Sequence, residues 1–312
     1  MNYEWAPSEC ADERFPMQIV RGDFIFPDDQ RLYIPDQKVI HNGWGEYNSS
    51  HVVGDPEKPL PDRMEISWFS FTENRFYSGM FQLGIDDLEA KFAEGFAHPD
   101  TGEPTTYNRI LVGLAPEGGV TVWLGGYGVL RLFRLAQAVF AEIPWQEILD
   151  NDDVSRDEYV RMVLEESLGE PGYQQFLEHG IPQGWWNRLR TRFNWRFDVA
   201  GVEATQIWIR TIDGQREFTN LQRDRGGFTN GQLPKLVELE WKNPRGKRYR
   251  ATLKFDQQEV LSAFAKMATV AGEDAIVVVF EASSAPAGVV VSLRAANSIL
   301  NLNRIDCQVR LS

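Results

Sequence analysis

The chain is poor in the residues that most often announce a chemistry. It has two cysteines in 312 residues, Cys10 and Cys307, at opposite ends, and no CxxC pair. A disulfide framework is therefore not expected, and a reducing cytoplasm is the expected compartment. Histidine is scarce: His41, His51, His98 and His179, none spaced i, i+4 from another and none with a zinc-motif partner. Neither GxSxG nor GxxxxGK[ST] occurs. Ser50 and His51 are neighbours in sequence, which does not make a nucleophile and its base. No stretch approaches 18 apolar residues, so no membrane-crossing helix is expected. The opening MNYEWAPSECADERFP has no basic start and no apolar run, so it reads as no secretory leader. No cofactor and no metal site is expected from these patterns.

Positive charge is also short. There are 32 Lys+Arg against 45 Asp+Glu, a net charge of −13. The imbalance is local: residues 1–150 hold 24 acids and 11 bases, whereas residues 151–312 hold 21 of each. An acidic surface repels nucleic acid and membranes and attracts basic proteins, although simple solubility explains it equally well. The acids peak at Asp150-Asn151-Asp152-Asp153, followed by Asp157-Glu158. Asp153 or Ser155 is placed to cap the helix that carries Tyr159, Met162, Val163 and Glu166. The acids there form either a solvated cap or part of a docking face for a basic partner. The candidate partner-binding residues are Asp150, Asp152, Asp153, Asp157, Glu158 and Trp185. Trp185 and Trp186 are adjacent, so on a helix they point about 100° apart; core packing and an interface anchor are both open.

What the chain does have is a repeat. Leu60–Phe92 reads LPDRMEISWFSFTENRFYSGMFQLGIDDLEAKF, and Leu233–Phe264 reads LPKLVELEWKNPRGKRYRATLKFDQQEVLSAF. Leu60, Pro61, Glu65 and Trp68 match Leu233, Pro234, Glu238 and Trp241 at an offset of 173. Tyr77, Phe81, Leu83, Leu88 and Phe92 match Tyr249, Leu253, Phe255, Val260 and Phe264 at 172. Met64, Ile66 and Trp68 alternate with polar residues, as do Val237, Leu239 and Trp241, which predicts half-buried strands. A second strand follows each after a turn, Asn-Pro-Arg-Gly in the later copy. Then comes a helix: Ile85, Leu88, Phe92 and Phe96 share one face, as do Val260, Leu261, Phe264 and Met267. Asp86, Asp87 and Glu89 sit in the first turn, where the helix dipole favours carboxylates.

Two further strands are predicted after each helix, at 107–114 with 120–124 and at 275–280 with 289–293. The cluster Gly125-Gly126-Tyr127-Gly128 reads as a strand–turn–strand and not as a phosphate loop. Residues 129–149 are expected to become helical, with Leu135, Val139 and Ile143 on one face. Residues 171–190 are expected to hold a short helix. Lys242, Arg245, Lys247, Arg248 and Arg250 read as a charged turn that blunts a sheet edge. The expected class is α+β: two tandem related units, each an antiparallel sheet packed with an amphipathic helix. The expected boundaries are 1–144 for the first unit, 145–190 for a helical connector and 191–312 for the second unit.

The run from Leu60 to Leu83, then Arg109 to Leu124 (RILVGLAPEGGVTVWL), with Asn42-Gly43-Trp44-Gly45 and WNRLRTRFNW at 186–195, resembles a bacterial family of otherwise unknown function. Its members often lie beside type VI secretion effectors and are regarded as their cognate immunity proteins, which bind the toxin without catalysis. The resemblance covers roughly residues 1–200. It implies a cognate effector toxin as partner and no enzymatic activity. Family members often begin with a lipoprotein signal, and Cys10 follows Pro7-Ser8-Glu9 with no apolar run. The expected toxin is then a cytoplasmic one, a basic nuclease, because nucleases must hold a phosphate backbone. Two other classes stay open: a hydrolase-like enzyme with a site between the units, and an adaptor of a secretion apparatus.

Overall fold

The computed structural model describes residues 1–36, 38–49, 53–150, 153–182, 184, 191–223, 231–243, 245–283 and 288–311. The class is α+β. The chain divides into two compact units, Met1–Arg188 and Leu189–Ser312.

In the first unit the strands are β1 (Asn2–Glu4), β2 (Ala6–Ala11), β3 (Met17–Ile25), β4 (Arg31–Tyr33), β5 (Val39–Ile40), β6 (Glu57–Pro59), β7 (Arg63–Ser70) and β8 (Arg75–Gln82). Helix α1 (Ile85–Glu94) follows, then β9 (Phe96–Ala97), β10 (Pro104–Thr105), β11 (Arg109–Ala115), β12 (Gly119–Gly126), β13 (Val129–Gln137), β14 (Val139–Ala141) and helix α2 (Arg156–His179). One set of pairings runs β2-β11-β12-β13, with β2 parallel to β11 and the rest antiparallel. A second, antiparallel set runs β14-β8-β7-β3-β4, with β5 also on β3.

The alternation in β7 works as period-two patterning requires: Met64, Ile66 and Trp68 are fully buried. Trp68 faces Tyr77 across the hairpin and the rings stack at 5.5 Å. In α1, Leu88 and Phe92 are buried while Asp86 and Asp87 lie in the first turn. Phe92 meets Tyr3 at 5.1 Å and Tyr107 at 5.7 Å. Phe96 does not extend that face, because α1 stops at Gly95 and Phe96 begins β9. A side chain at Gly95 would meet the Thr105 carbonyl, and its φ is +55°, so glycine is required at that stop.

The expected helix over 129–149 is not there. Residues 129–137 pair with β12 along its full length, and 139–141 pair with β8. The hairpin at Tyr127 and Gly128, both with positive φ, returns the chain straight onto β12. Ladder bonds to an existing strand outweigh a three-residue helical spacing. A short helix stands within 171–190 as expected: α2 breaks at Gly169 (φ 64°, ψ 167°), and a second helical segment with Pro171 near its start runs on to His179.

The second unit contains β15 (Trp195–Ala200), β16 (Glu203–Thr211), β17 (Arg216–Asn220), β18 (Pro234–Lys242), β19 (Arg248–Phe255), helix α3 (Gln257–Ala271), β20 (Ile276–Ala282), β21 (Val289–Ala295), β22 (Ser298–Leu302) and β23 (Ile305–Leu311). One set of pairings runs β15-β20-β21-β22, with β15 parallel to β20. Another runs β17-β16-β18-β19-β23, all antiparallel. Its core joins Trp195, Ile207, Leu239, Trp241 and Leu253 to Phe264 and Met267 of α3. Asp256 caps α3 by accepting from the Glu259 amide at 2.8 Å. Glu259 reaches on to the amides of Asn303 and Arg304, which fixes the turn before β23. The basic hairpin tip does not blunt an edge, since β19 lies between β18 and β23.

Candidate partner-binding surface

Helix α2 packs on the outer face of the β7–β8 hairpin. Phe69, Phe71 and Phe76 meet Val160, Val163 and Leu164 in a small apolar cluster with Ile148. Ser155 caps the helix, its hydroxyl accepting from the Glu158 amide at 3.3 Å. Arg156 fastens the same end. Its Nε donates to Asn74 Oδ1 and its Nη2 to the Asn74 carbonyl, both at 2.8 Å. The guanidinium also lies 5.2 Å from the Phe69 ring, 5.5 Å from Phe76 and 5.3 Å from Trp145. Asn74 accepts this clamp in the β7–β8 turn with φ +51°.

This fastening decides where the acids point. Asp157 and Glu158 occupy the first turn of α2 and are exposed, as are Asp150 and Asp153 just before it. Asp157 has one weak contact, a 3.5 Å bond from Asn74 Nδ2. Further along the helix Glu165, Glu166 and Glu170 are exposed beside Arg161, which pairs with Glu165 at 3.0 Å. Met162 is exposed among them. The sequence-predicted Asp152 and Trp185 lie outside the described residues; Asp150, Asp153, Asp157 and Glu158 are described, and all four are exposed. Arg156 was missed; the signal for it was an arginine in an acidic run opposite aromatics at Phe69 and Phe76, two positions that a hairpin makes neighbours.

Two open grooves adjoin α2. One of about 530 Å³ runs between Asn74, Arg75, Phe76 and Arg156 on one side and Phe140 and Pro144 on the other. The second, of about 460 Å³, is lined by Arg14, Phe15, Leu168, Phe176 and His179. Glu142 also lines the first groove and Glu13 the second. Among the described residues no group of three or more His, Cys, Asp or Glu is placed to hold a metal. Also among them, no helix is long and apolar enough to cross a membrane.

Three buried ionisable groups are tied to backbone and loops, while buried Asp12 and Glu240 pair with Arg14 and Arg250. Glu9 accepts from Ser49 Oγ at 2.7 Å and Asn48 Nδ2 at 2.8 Å, and burial raises its pKa. Lys58 donates to the carbonyls of Trp5, Asp55 and Pro56 beneath the Trp5 ring, and burial lowers its pKa. Asp213 is raised by burial and accepts from Thr211 and Gln215 in the turn between β16 and β17. Each of these carboxylates and the ammonium holds a loop in place.

A family model matches residues 1–184 of the chain. The chain belongs to the family described as "protein of unknown function (DUF2931)". The family match ends within four residues of the first unit's boundary at Arg188 and includes α2 with its acidic face. No curated protein and no solved structure matches the chain.

Proposed function

We propose that this chain is an intracellular immunity protein that binds a cognate type VI secreted toxin, a basic nuclease, and neutralises it by occlusion. The observation that carries the reading is the segregation of charge. Residues 1–188 hold 32 acidic and 14 basic side chains, a net of −18, whereas residues 189–312 hold 13 and 18, a net of +5. The acids on the outward face of α2 are held out by the Arg156 clamp, with Met162 among them as an apolar contact. A protein that must hold polyanionic nucleic acid presents a basic surface, and an acidic face competes for it. The resemblance noted for Leu60–Leu83 and Arg109–Leu124 points to the same class. Cys10 and Cys307 form no disulfide, in keeping with a reducing compartment.

The same proposal includes tandem relatedness of the two units. Trp5 Nε1 donates to the carbonyl of Pro59 at 3.1 Å, and Trp195 Nε1 to that of Gln232 at 3.2 Å. Residues 59 and 232 differ by 173, the offset of the sequence repeat. Tyr3 pairs with Lys58, and Phe193 bridges Gly231, again 173 apart on the partner side. Tyr3 packs on Phe92 at 5.1 Å and Phe193 on Phe264 at 5.6 Å. Trp241 stacks on Tyr249 at 5.7 Å, as Trp68 does on Tyr77. An experimental structure in which the two indoles bond to non-equivalent carbonyls would refute the relation.

The functional test is co-expression with the product of the adjacent gene. Rescue of growth and co-purification are expected, with an association rate that falls on the order of tenfold or more from low to high salt. Asp157→Lys with Glu158→Lys should flatten that salt response. Neither rescue nor co-purification would end the immunity reading; a chain that binds secretion components without the toxin would be an adaptor.

A further inference from the structure

In each unit two consecutive strands are split between the sheets: the first pairs in the parallel-containing sheet and the second joins the edge of the other. In the second unit the change comes early. β22 covers five residues of β21, and β23 then lies along the whole of Tyr249–Phe255 in β19. In the first unit it comes late. β13 covers all of β12, and β14 reaches only Phe76, Tyr77 and Ser78 of β8. With Tyr77 equivalent to Tyr249 and Phe81 to Leu253, the positions left open are Gly79–Gln82. Their counterparts, Ala251–Lys254, are paired with Asp306–Val309. Among the described residues no strand pairs with Gly79–Gln82 on that side.

An open edge exposes backbone donors and acceptors and is normally guarded by lysine, proline or a bulge. Gly-Met-Phe-Gln contains no such guard, and β8 pairs with β7 without a register shift. Met80 is 55 % exposed, and Val139, which joins the edge opposite Ser78, is 70 % exposed. Ser78, Met80 and Val139 stand on one face of the sheet, so a second strand beside them would gain apolar cover. Past the edge, Asp86 and Asp87 open α1, Asp87 paired with Arg134 at 3.3 Å, and the surrounding unit is strongly acidic.

We propose that the Gly79–Gln82 edge receives an antiparallel strand of the partner protein, with an apolar side chain against Met80 and lysine or arginine beside it. The chain itself supplies the precedent for such an occupant, since β23 occupies the equivalent edge of the second unit. The assignment rests on the immunity reading and on the relation between the units.

Amide hydrogen exchange of the full chain, alone and in complex with the co-purified adjacent-gene product, tests it. Those amides of residues 79–82 that point away from β7 should slow by about tenfold or more in the complex. Met80→Lys, at an exposed position, should leave the melting temperature unchanged and weaken the complex by about tenfold, because it installs the missing guard. A complex of full affinity with unaltered exchange at 79–82 overturns the docking site and leaves the immunity reading standing. No complex at all overturns both. Protection that grows with the concentration of the chain alone would assign the edge to self-association and also overturn the proposal.

Discussion

Trp5 anchors the first unit's N-terminal strands, and replacing it with phenylalanine isolates what the indole adds. Trp5 is 1 % exposed, and its Nε1 donates to Pro59 at 3.1 Å. Its ring meets Phe24 edge-on at 5.5 Å and lies 5.2 Å from Lys58 Nζ. Trp5→Phe removes a hydrogen bond with a net value of about 1 kcal/mol. The smaller ring leaves a partly filled space, costing about another 1 kcal/mol. A weaker ring face for the buried ammonium costs about 0.5 kcal/mol more. The expected loss is about 2–3 kcal/mol, which for a unit of this size lowers its melting temperature by roughly 5–10 °C. Urea unfolding followed by circular dichroism should show a lower midpoint with an unchanged slope. Exchange should quicken first at β1 and β6, which the indole ties together. Trp195→Phe should lose a similar amount in the second unit, since its buried indole donates to the Gln232 carbonyl at 3.2 Å. A loss below about 0.5 kcal/mol for Trp5→Phe would refute the assignment of the indole as a tie.

Glu9 supplies a pH test. Its carboxyl is raised above 4.5 by burial, and its Oε2 has no hydrogen-bond partner among the described residues. The folded chain therefore holds this proton more tightly than the unfolded chain. Its contribution is full below pH 4.5 and declines as pH rises through the folded value. The stability of the natural chain minus that of Glu9→Gln should fall with pH across that window, and a flat difference in urea midpoints would refute it. Arg156→Ala should cost about 1–3 kcal/mol through the lost Asn74 bonds and ring contacts, with faster exchange in the first turns of α2. Arg156→Lys should recover less than half, because an ammonium lacks the planar fork; full recovery would mean that charge alone holds the helix.

Several features could be read before any coordinates. The alternation of Met64, Ile66 and Trp68, the face of Leu88 and Phe92, and the cap at Ser155 are local signals, and each stands where its spacing put it. The acidic residues Asp150, Asp153, Asp157 and Glu158 were legible too, because charge needs no fold to be counted. Arg156 was not, since its partners Asn74, Phe69 and Phe76 lie about 80 residues away. The indole bonds of Trp5 to the Pro59 carbonyl and of Trp195 to the Gln232 carbonyl were not legible either, because each joins residues far apart in the chain.

The amino-acid pattern alone determined which faces are apolar, where the helices next to the hairpins begin, and how unevenly charge is spread. Those are properties of a residue and its near neighbours. The tertiary structure decided which strand a segment joins and for how long. Residues 129–141 and 298–311 both run from one sheet to the other, yet they change sheets at different points. Side-chain alternation is alike on either sheet, so periodicity carries no record of the crossing. Only the competition between two distant ladders sets it, and that competition leaves Gly79–Gln82 open.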